Sequence, residues 1–306
     1  MPGACPRGPP GKELVLKPRQ SRPTRAAPPH RPRFDVTPLG VRIGAQVRGL
    51  ALDDAPRGDT LNALEDLLET WGVLVFPGQQ ITPAQQVAFS RAFGELETAG
   101  TGEARLDGQP EIFVIANTDA RPGLAPPEAL FWHADHQCCT EPARASLLYC
   151  RQTPPVGGDT VFACMYSAYE ALPPTDKAEA QRLIALHAVA APDATGDGTA
   201  DDPAGPLILR CPLVRHHPRS GRMALWFGSQ TTIGIEGWEA ERAREYLARL
   251  EAHATRAAFL YRHGWKPGDA VLWDNRRVLH AGTGFDGARH LREMHRTTIR
   301  ETGPIR

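Results

Sequence analysis

No stretch of the sequence approaches the roughly 18 consecutive apolar residues that span a membrane, and no secretory signal opens it. Net charge is missing too, since Lys and Arg total 35 and so do Asp and Glu. Neither nucleic acid nor an anionic membrane is therefore expected as the main partner. Cysteine is sparse: Cys5, Cys138, Cys139, Cys150, Cys164 and Cys211 form no CxxC pair, so reduced thiols in a cytoplasm are the default expectation. The adjacent Cys138 and Cys139 are read as packing residues, with metal ligation as the alternative. Internal repeats and a central linker are absent as well. What remains is a soluble enzyme acting on a small molecule, with a homo-oligomer left open.

Charge is balanced overall but not along the chain. Residues 1–33 carry eight Lys or Arg, one acid (Glu13) and nine prolines. Such a segment has too little apolar surface to offset its chain entropy and reads as a disordered Pro/Arg-rich leader or an upstream mis-start. A transit peptide is the alternative, which the prolines oppose by breaking the amphipathic helix it needs. Residues 34–306 read as a single domain, and 41% hydrophobic content over the chain supplies a real core.

Within 60–71, Leu61, Leu64, Leu67 and Leu68 recur at helical spacing, with Gly72 as the stop. Residues 73–76 read as a short buried strand. Thr82-Pro83 with Gln85 predicts a capped helix running to Phe93-Gly94. Beyond Glu111 the texture is β-rich, with short runs at 112–115, 146–150, 160–163, 213–216, 225–227, 270–273 and 296–299, separated by turn residues. Two further helices are expected over 176–187 and 240–253. Residues 193–206 have neither pattern and read as a mobile loop, a candidate lid. The composite is a mainly β sandwich or barrel with flanking helices.

The sharpest local feature is Phe131-Trp132-His133-Ala134-Asp135. In a strand, residues i and i+2 share a face, so His133 and Asp135 project together. His280, in Trp273-Asp274-Asn275-Arg276-Arg277-Val278-Leu279-His280, is the candidate third ligand. Two His and one carboxylate on one side of a metal leave open positions, which suits non-haem iron(II). Alone, the HxD pair is a weak signal, read first as a satisfied histidine and a turn or cap aspartate. Arg292 and Arg296, four apart around Met294, put two guanidinium groups on one strand face, and an Arg fork binds a carboxylate. Gly157-Gly158-Asp159-Thr160 makes a tight turn whose hydroxyl can bond that same carboxylate.

These blocks, read in order with Thr37-Pro38-Leu39-Gly40, Phe93-Gly94-Glu95-Leu96, Ala168-Tyr169-Glu170-Ala171-Leu172-Pro173 and His217-Pro218-Arg219-Ser220-Gly221-Arg222, resemble the TauD/TfdA (taurine dioxygenase / 2,4-D dioxygenase) family over the whole chain after the leader. The resemblance implies a double-stranded β-helix (jelly-roll, cupin-like) core. It implies iron(II) held by His133, Asp135 and His280, and 2-oxoglutarate held by Thr160 and Arg292. It also implies that Arg296 faces the primary substrate and that O2 is consumed.

Where taurine-specific members have a His after the FGEL block and an Asn before the WH pair, this sequence reads Glu97-Thr98-Ala99 and Glu128-Ala129-Leu130-Phe131. The sulfonate cage is incomplete. Phe131, Trp132, Trp226 and Phe227 point to a more apolar or larger substrate, or to packing, and His136 to a substrate contact or an outward side chain. The expected reaction is hydroxylation, with or without cleavage, of a small anion such as a sulfonate, alkyl sulfate or aryloxyalkanoate. The same chemistry on an amino-acid or natural-product scaffold is the alternative. A zinc hydrolase using the same three ligands is the rival from another class.

Overall fold

The computed structural model describes residues 34–98, 104–117, 131–137, 142–188, 208–229 and 231–301. The 1–33 leader, the 193–206 loop and the Cys138-Cys139 pair lie outside the described residues. Strands β1 (Asp35–Pro38) and β2 (Ala45–Arg48) precede helix α1 (Gly58–Trp71), strand β3 (Val73–Phe76) and helix α2 (Pro83–Arg91). Then come β4 (Arg105–Leu106), β5 (Gln109–Ala116), β6 (Ala143–Gln152), β7 (Thr160–Cys164) and helices α3 (Met165–Glu170) and α4 (Pro174–Ala180). Strands β8 (Ile184–Ala188), β9 (Ile208–Pro212), β10 (Val214–His216), β11 (Met223–Leu225) and β12 (Thr232–Ile235) lead to α5 (Ala240–Ala254). Strands β13 (Leu260–His263), β14 (Ala270–Asp274), β15 (Val278–Gly282) and β16 (Glu293–Arg300) follow.

An eight-stranded sheet in the order β1-β2-β3-β14-β6-β16-β5-β4 forms the larger layer, antiparallel except between β2 and β3. Period-2 alternation gives each of its central strands two buried faces. On the inner face Leu148, Cys150, Val271, Trp273 and Met294 pack with Phe162, Ala163, Leu279 and Ala281 of the β13-β7-β15 sheet. On the outer face Leu147, Tyr149, Ala270, Leu272 and Ile299 pack with Leu64 and Leu68 of α1 and with Val87 and Phe89 of α2. The Leu, Ile, Val, Phe and Met side chains among these each contribute about 1.5–3 kcal/mol when fully buried. The result is a mainly β chain with flanking helices and a jelly-roll core.

The helix signals work as physics requires. Helix α1 stops at Gly72, which sits at φ 70° and donates its N–H to Leu68 O at 2.8 Å. A Cβ there would lie 3.0 Å from Val278 Cγ2 and 3.1 Å from Arg277 Nε, so only glycine allows both the turn and the close approach. Thr82 and Gln85 form a capping box with Pro83 in the first turn, and α2 ends at Arg91, just short of the expected Phe93-Gly94.

Three local expectations need correction. The single helix expected over 176–187 is α4 followed by β8, in which Ala185 and His187 point inward between β9 and β12. Ala and Leu favour helix intrinsically, but pairing on both edges overrides that preference. The strand expected over 225–227 ends at Leu225. The strand expected to carry both His133 and Asp135 is reduced to a single bridge at His133, opposite His280.

Candidate functional site

Strand β15 places His280, and the bridge places His133 directly opposite. His133 N–H donates to His280 O at 3.1 Å and His280 N–H to His133 O at 2.8 Å, bringing the ring centroids to 4.2 Å. The far side of this short segment is tied to Ser229, whose N–H donates to Trp132 O at 2.9 Å and whose Oγ accepts from Trp132 N–H at 3.1 Å. The chain then turns: Gln137 N–H reaches Ala134 O, and His136 takes φ 52°. Asp135 therefore arrives beside the imidazoles from a turn rather than by strand alternation. Ligand atoms of His133, Asp135 and His280 all lie within 4.8 Å of one another.

The electrostatics suit a cation. Asp135 is 3% exposed, and burial alone would raise its carboxyl, but the charge of Arg296 beside it and the Ser146 hydroxyl hold it well below the usual carboxylate range. Its Oδ1 accepts from Arg296 Nη1 at 2.7 Å and lies 3.8 Å from His280 Nε2, while Oδ2 accepts from Ser146 Oγ at 2.5 Å. Burial pushes His280 down to about 3, keeping it neutral with a lone pair to offer. His133 Nδ1 lies 3.0 Å from Phe131 O, which assigns the proton to Nδ1 and leaves the lone pair on Nε2.

The basic end is built on β16. Arg292 precedes the strand, 6% exposed, and burial pulls it down to about 10, so it stays charged at neutral pH. Its Nε donates to Gly158 O at 2.9 Å, and among the described residues this is its only guanidinium contact with a protein acceptor, so both terminal NH2 groups remain for a ligand. The glycine turn permits the approach: Gly157 and Gly158 have φ 77° and 68°, and a Cβ on Gly158 would lie 3.2 Å from Arg292 Cδ. Thr160 opens β7, 4% exposed, and its Oγ1 accepts from Trp265 Nε1 at 3.0 Å, which leaves the hydroxyl hydrogen to donate. Between Arg292 and Arg296 sits Met294, 0% exposed, and the neighbouring Cys150 thiol is pushed up to about 12 by burial.

Arg296 lies over the Phe113 ring, 4.8 Å from its centroid, so it spans an aromatic face and the Asp135 carboxylate. Phe131 lies tilted against His133, 4.9 Å between ring centroids. His136 points to Glu97, with Nδ1 2.9 Å from Oε2, and lies 6.5 Å from the Phe113 ring. Burial alone would lower His136, but the hydrogen bond and charge of Glu97 raise it. Trp226 is 1% exposed, and its described contacts are with Arg215, whose guanidinium stacks 4.2 Å from its ring, and through its backbone with Leu213.

Sequence reasoning missed Phe113, Glu97, Ser146 and Asn275. For Asn275 the signal was available in the Trp-Asp-Asn-Arg block, whose Asn was given no role. Ser146 is a lone hydroxyl in an otherwise apolar strand. A second acid–imidazole cluster, Glu69, His217 and Asp274, also has metal-like spacing. There, however, His217 Nδ1 faces Glu69 Oε2 at 3.0 Å and Nε2 faces Asp274 Oδ2 at 2.9 Å, and Arg276 donates to Asp274 from Nε at 2.8 Å and Nη2 at 2.7 Å. Both imidazole nitrogens are engaged and positive charge is already supplied, so the cluster is a buried ion network. His295 Nε2 lies 3.1 Å from Glu293 Oε1.

A family model described as "Taurine catabolism dioxygenase TauD, TfdA family" matches residues 35–298. The chain is 36% identical over 272 residues to an (S)-phenoxypropionate/alpha-ketoglutarate-dioxygenase of Sphingobium herbicidovorans, covering 83% of this chain and 91% of the relative. It is 36% identical over 282 residues to an alpha-ketoglutarate-dependent 2,4-dichlorophenoxyacetate dioxygenase of Cupriavidus pinatubonensis, covering 85% and 96%. Among solved structures, a taurine dioxygenase from Burkholderia xenovorans superposes with TM-score 0.78 at 30% identity, over 89% of this chain and 91% of that one.

Proposed function

The chain belongs to the taurine catabolism dioxygenase TauD, TfdA family and is an iron(II)- and 2-oxoglutarate-dependent dioxygenase, and from that premise we propose which of its residues do what. His133, Asp135 and His280 hold the iron. The observation that carries this is the convergence of two imidazole nitrogens and one carboxylate oxygen within 4.8 Å, with Asp135 and His280 buried and His133 partly so. Arg292 and Thr160 hold 2-oxoglutarate, because a charged, buried guanidinium with two uncommitted NH2 groups is complementary to a distal carboxylate and Thr160 keeps a proton to donate.

When bound, the iron supplies the oxidising chemistry: substrate, 2-oxoglutarate and O2 give hydroxylated substrate, succinate and CO2. The chain's own part is positioning and charge. Arg296 orients an organic anion, with Phe113, Phe131 and His136 as walls of the substrate space. A guanidinium beside an aromatic face fits an aryloxyalkanoate, and the two relatives named for phenoxypropionate and 2,4-dichlorophenoxyacetate support that choice over an amino-acid scaffold. No described helix is long and apolar enough to cross a membrane. A cytoplasmic setting, a small molecule as the sole class of partner and a homo-oligomeric state belong to the same reading.

The test is oxygen- and 2-oxoglutarate-dependent succinate release across a panel of aryloxyalkanoates, alkyl sulfates, sulfonates and neutral analogues. Substrate-dependent turnover confined to the anions, strongest with the aryloxy acids, is the expected result. Turnover with neutral scaffolds alone would overturn the substrate reading, and zinc-dependent hydrolysis without oxygen uptake would overturn the reaction.

A further inference from the structure

We propose that Ser146 and Asn275 are positioning residues of the metal site, which set Asp135 to present Oδ1, and not Oδ2, to the metal. The proposal rests on the reading of Asp135 as a ligand and adds what holds that ligand in one orientation. Asp135 sits in a turn, so no strand ladder fixes its side chain. Ser146 and Asn275 are 0% and 1% exposed, next to Trp273 on the apolar inner face, where an unpaired hydroxyl or carboxamide costs about 1–3 kcal/mol.

Their hydrogen bonds can be directed unambiguously. Asn275 Oδ1 receives two N–H groups, from the Asp135 backbone at 3.1 Å and from Trp273 Nε1 at 2.8 Å. Flipping the carboxamide would set donor against donor twice, so its Nδ2 is the group that faces Ser146 Oγ at 2.9 Å and donates to it. The Ser146 hydroxyl hydrogen is thereby sent to its other neighbour, Asp135 Oδ2, at 2.5 Å. One carboxamide thus grips Asp135 twice, at its backbone and through Ser146 at its carboxylate. Each carboxylate oxygen thus accepts one hydrogen bond, Oδ2 from Ser146 and Oδ1 from Arg296, and it is Oδ1 that lies on the His280 side, at 3.8 Å, with its second lone pair.

Asn275 is itself immobilised, because its backbone N–H donates to Arg144 O at 3.0 Å and its neighbour Asp274 is clamped by His217 and Arg276. Partners of this kind hold a ligand's orientation, and their loss typically weakens metal binding about 10–100-fold.

The experiment is an anaerobic titration of the metal-free full-length protein with cobalt(II) chloride, following the visible d–d absorption, for wild type, Ser146→Ala, Ser146→Thr, Asn275→Ala and Asp135→Ala. Circular dichroism first establishes that each variant is folded. Asp135→Ala is expected to lose the band. Ser146→Ala is expected to bind about 10–100-fold more weakly, with a weaker band as the freed carboxylate adds its second oxygen. Ser146→Thr, which keeps the hydroxyl, should recover most of both. A Ser146→Ala protein with the affinity and spectrum of wild type, beside an Asp135→Ala protein that binds no cobalt, would overturn the positioning role and leave the site intact. Wild-type binding by Asp135→Ala would instead remove the ligand reading beneath it.

Discussion

Arg296 Nη1 and Asp135 Oδ1 lie 2.7 Å apart, both nearly buried, so the residue proposed for substrate also touches a proposed ligand. The contact gives Arg296 a share in keeping Asp135 ionised, beside its proposed role of meeting an anionic substrate. Truncating one partner of a buried charge pair costs about 2–5 kcal/mol. Arg296→Leu is therefore expected to raise KM for an aryloxyalkanoate by at least about 30-fold and to weaken cobalt binding as well, since Asp135 loses the first of its stabilising charges. Steady-state kinetics beside a metal titration separates the two. An unchanged KM would place the substrate anion elsewhere.

Arg292 makes a different prediction, because its guanidinium touches Gly158 and none of the three proposed ligands. Arg292→Ala should raise KM for 2-oxoglutarate about 100-fold, the loss of a charge-assisted fork of about 2.7 kcal/mol, with metal affinity within two-fold or so of wild type. Isothermal titration with 2-oxoglutarate against the metal-loaded, oxygen-free protein measures it. Equal losses in metal and co-substrate binding would mean a collapsed pocket rather than a missing carboxylate partner.

The parts of the fold that were legible in the sequence carry local chemistry of their own. Thr82-Pro83 with Gln85 and the stop at Gly72 need no distant partner to be read, and both stand where expected. Strand β8 was misread because residues 176–187 favour helix locally, and its strand state comes from β9 and β12, remote in sequence. The three candidate ligands do converge, though for a partly different reason than strand alternation: His133 is held by its bridge to His280, but Asp135 is aimed by a turn with His136 at φ 52°. Ser146 and Asn275, 129 residues apart, could not be joined by any spacing rule. Nor could Glu97 be assigned to His136, a pairing visible only once β16 and the segment after α2 lie side by side.

Gly72 offers a stability test independent of the site. An alanine there must adopt φ 70° and place its Cβ 3.0 Å from Val278 Cγ2 and 3.1 Å from Arg277 Nε. The expected destabilisation is about 1–3 kcal/mol, or roughly 2–10 °C in the melting temperature of a domain this size. Differential scanning calorimetry of Gly72→Ala reads it. A melting temperature within one degree or so of wild type would mean that the helix end relaxes freely.

The ion network around His217 predicts how stability depends on pH. His217 is fully buried and faces Glu69 from α1 and Asp274 from β14, with Arg276, Arg277, Arg219, Tyr166 and Ser220 around it. Burial alone would lower its pKa, but its hydrogen bonds to Asp274 and Glu69 raise it, and Glu69 and Asp274 are lowered in turn. A raised histidine stabilises fully below its unfolded value of about 6.5, and that share is lost as pH rises through the folded value. The lowered carboxylates act in the opposite sense: their share is present above about 4–4.5 and is lost as pH falls through their folded values. The stability difference between wild type and His217→Gln should therefore be largest near pH 5–6 and shrink as pH rises beyond about 6.5. Urea unfolding of both proteins from pH 5.5 to 9 measures it. A difference that stays flat across that range would mean a neutral His217 and one carboxylate sharing its proton.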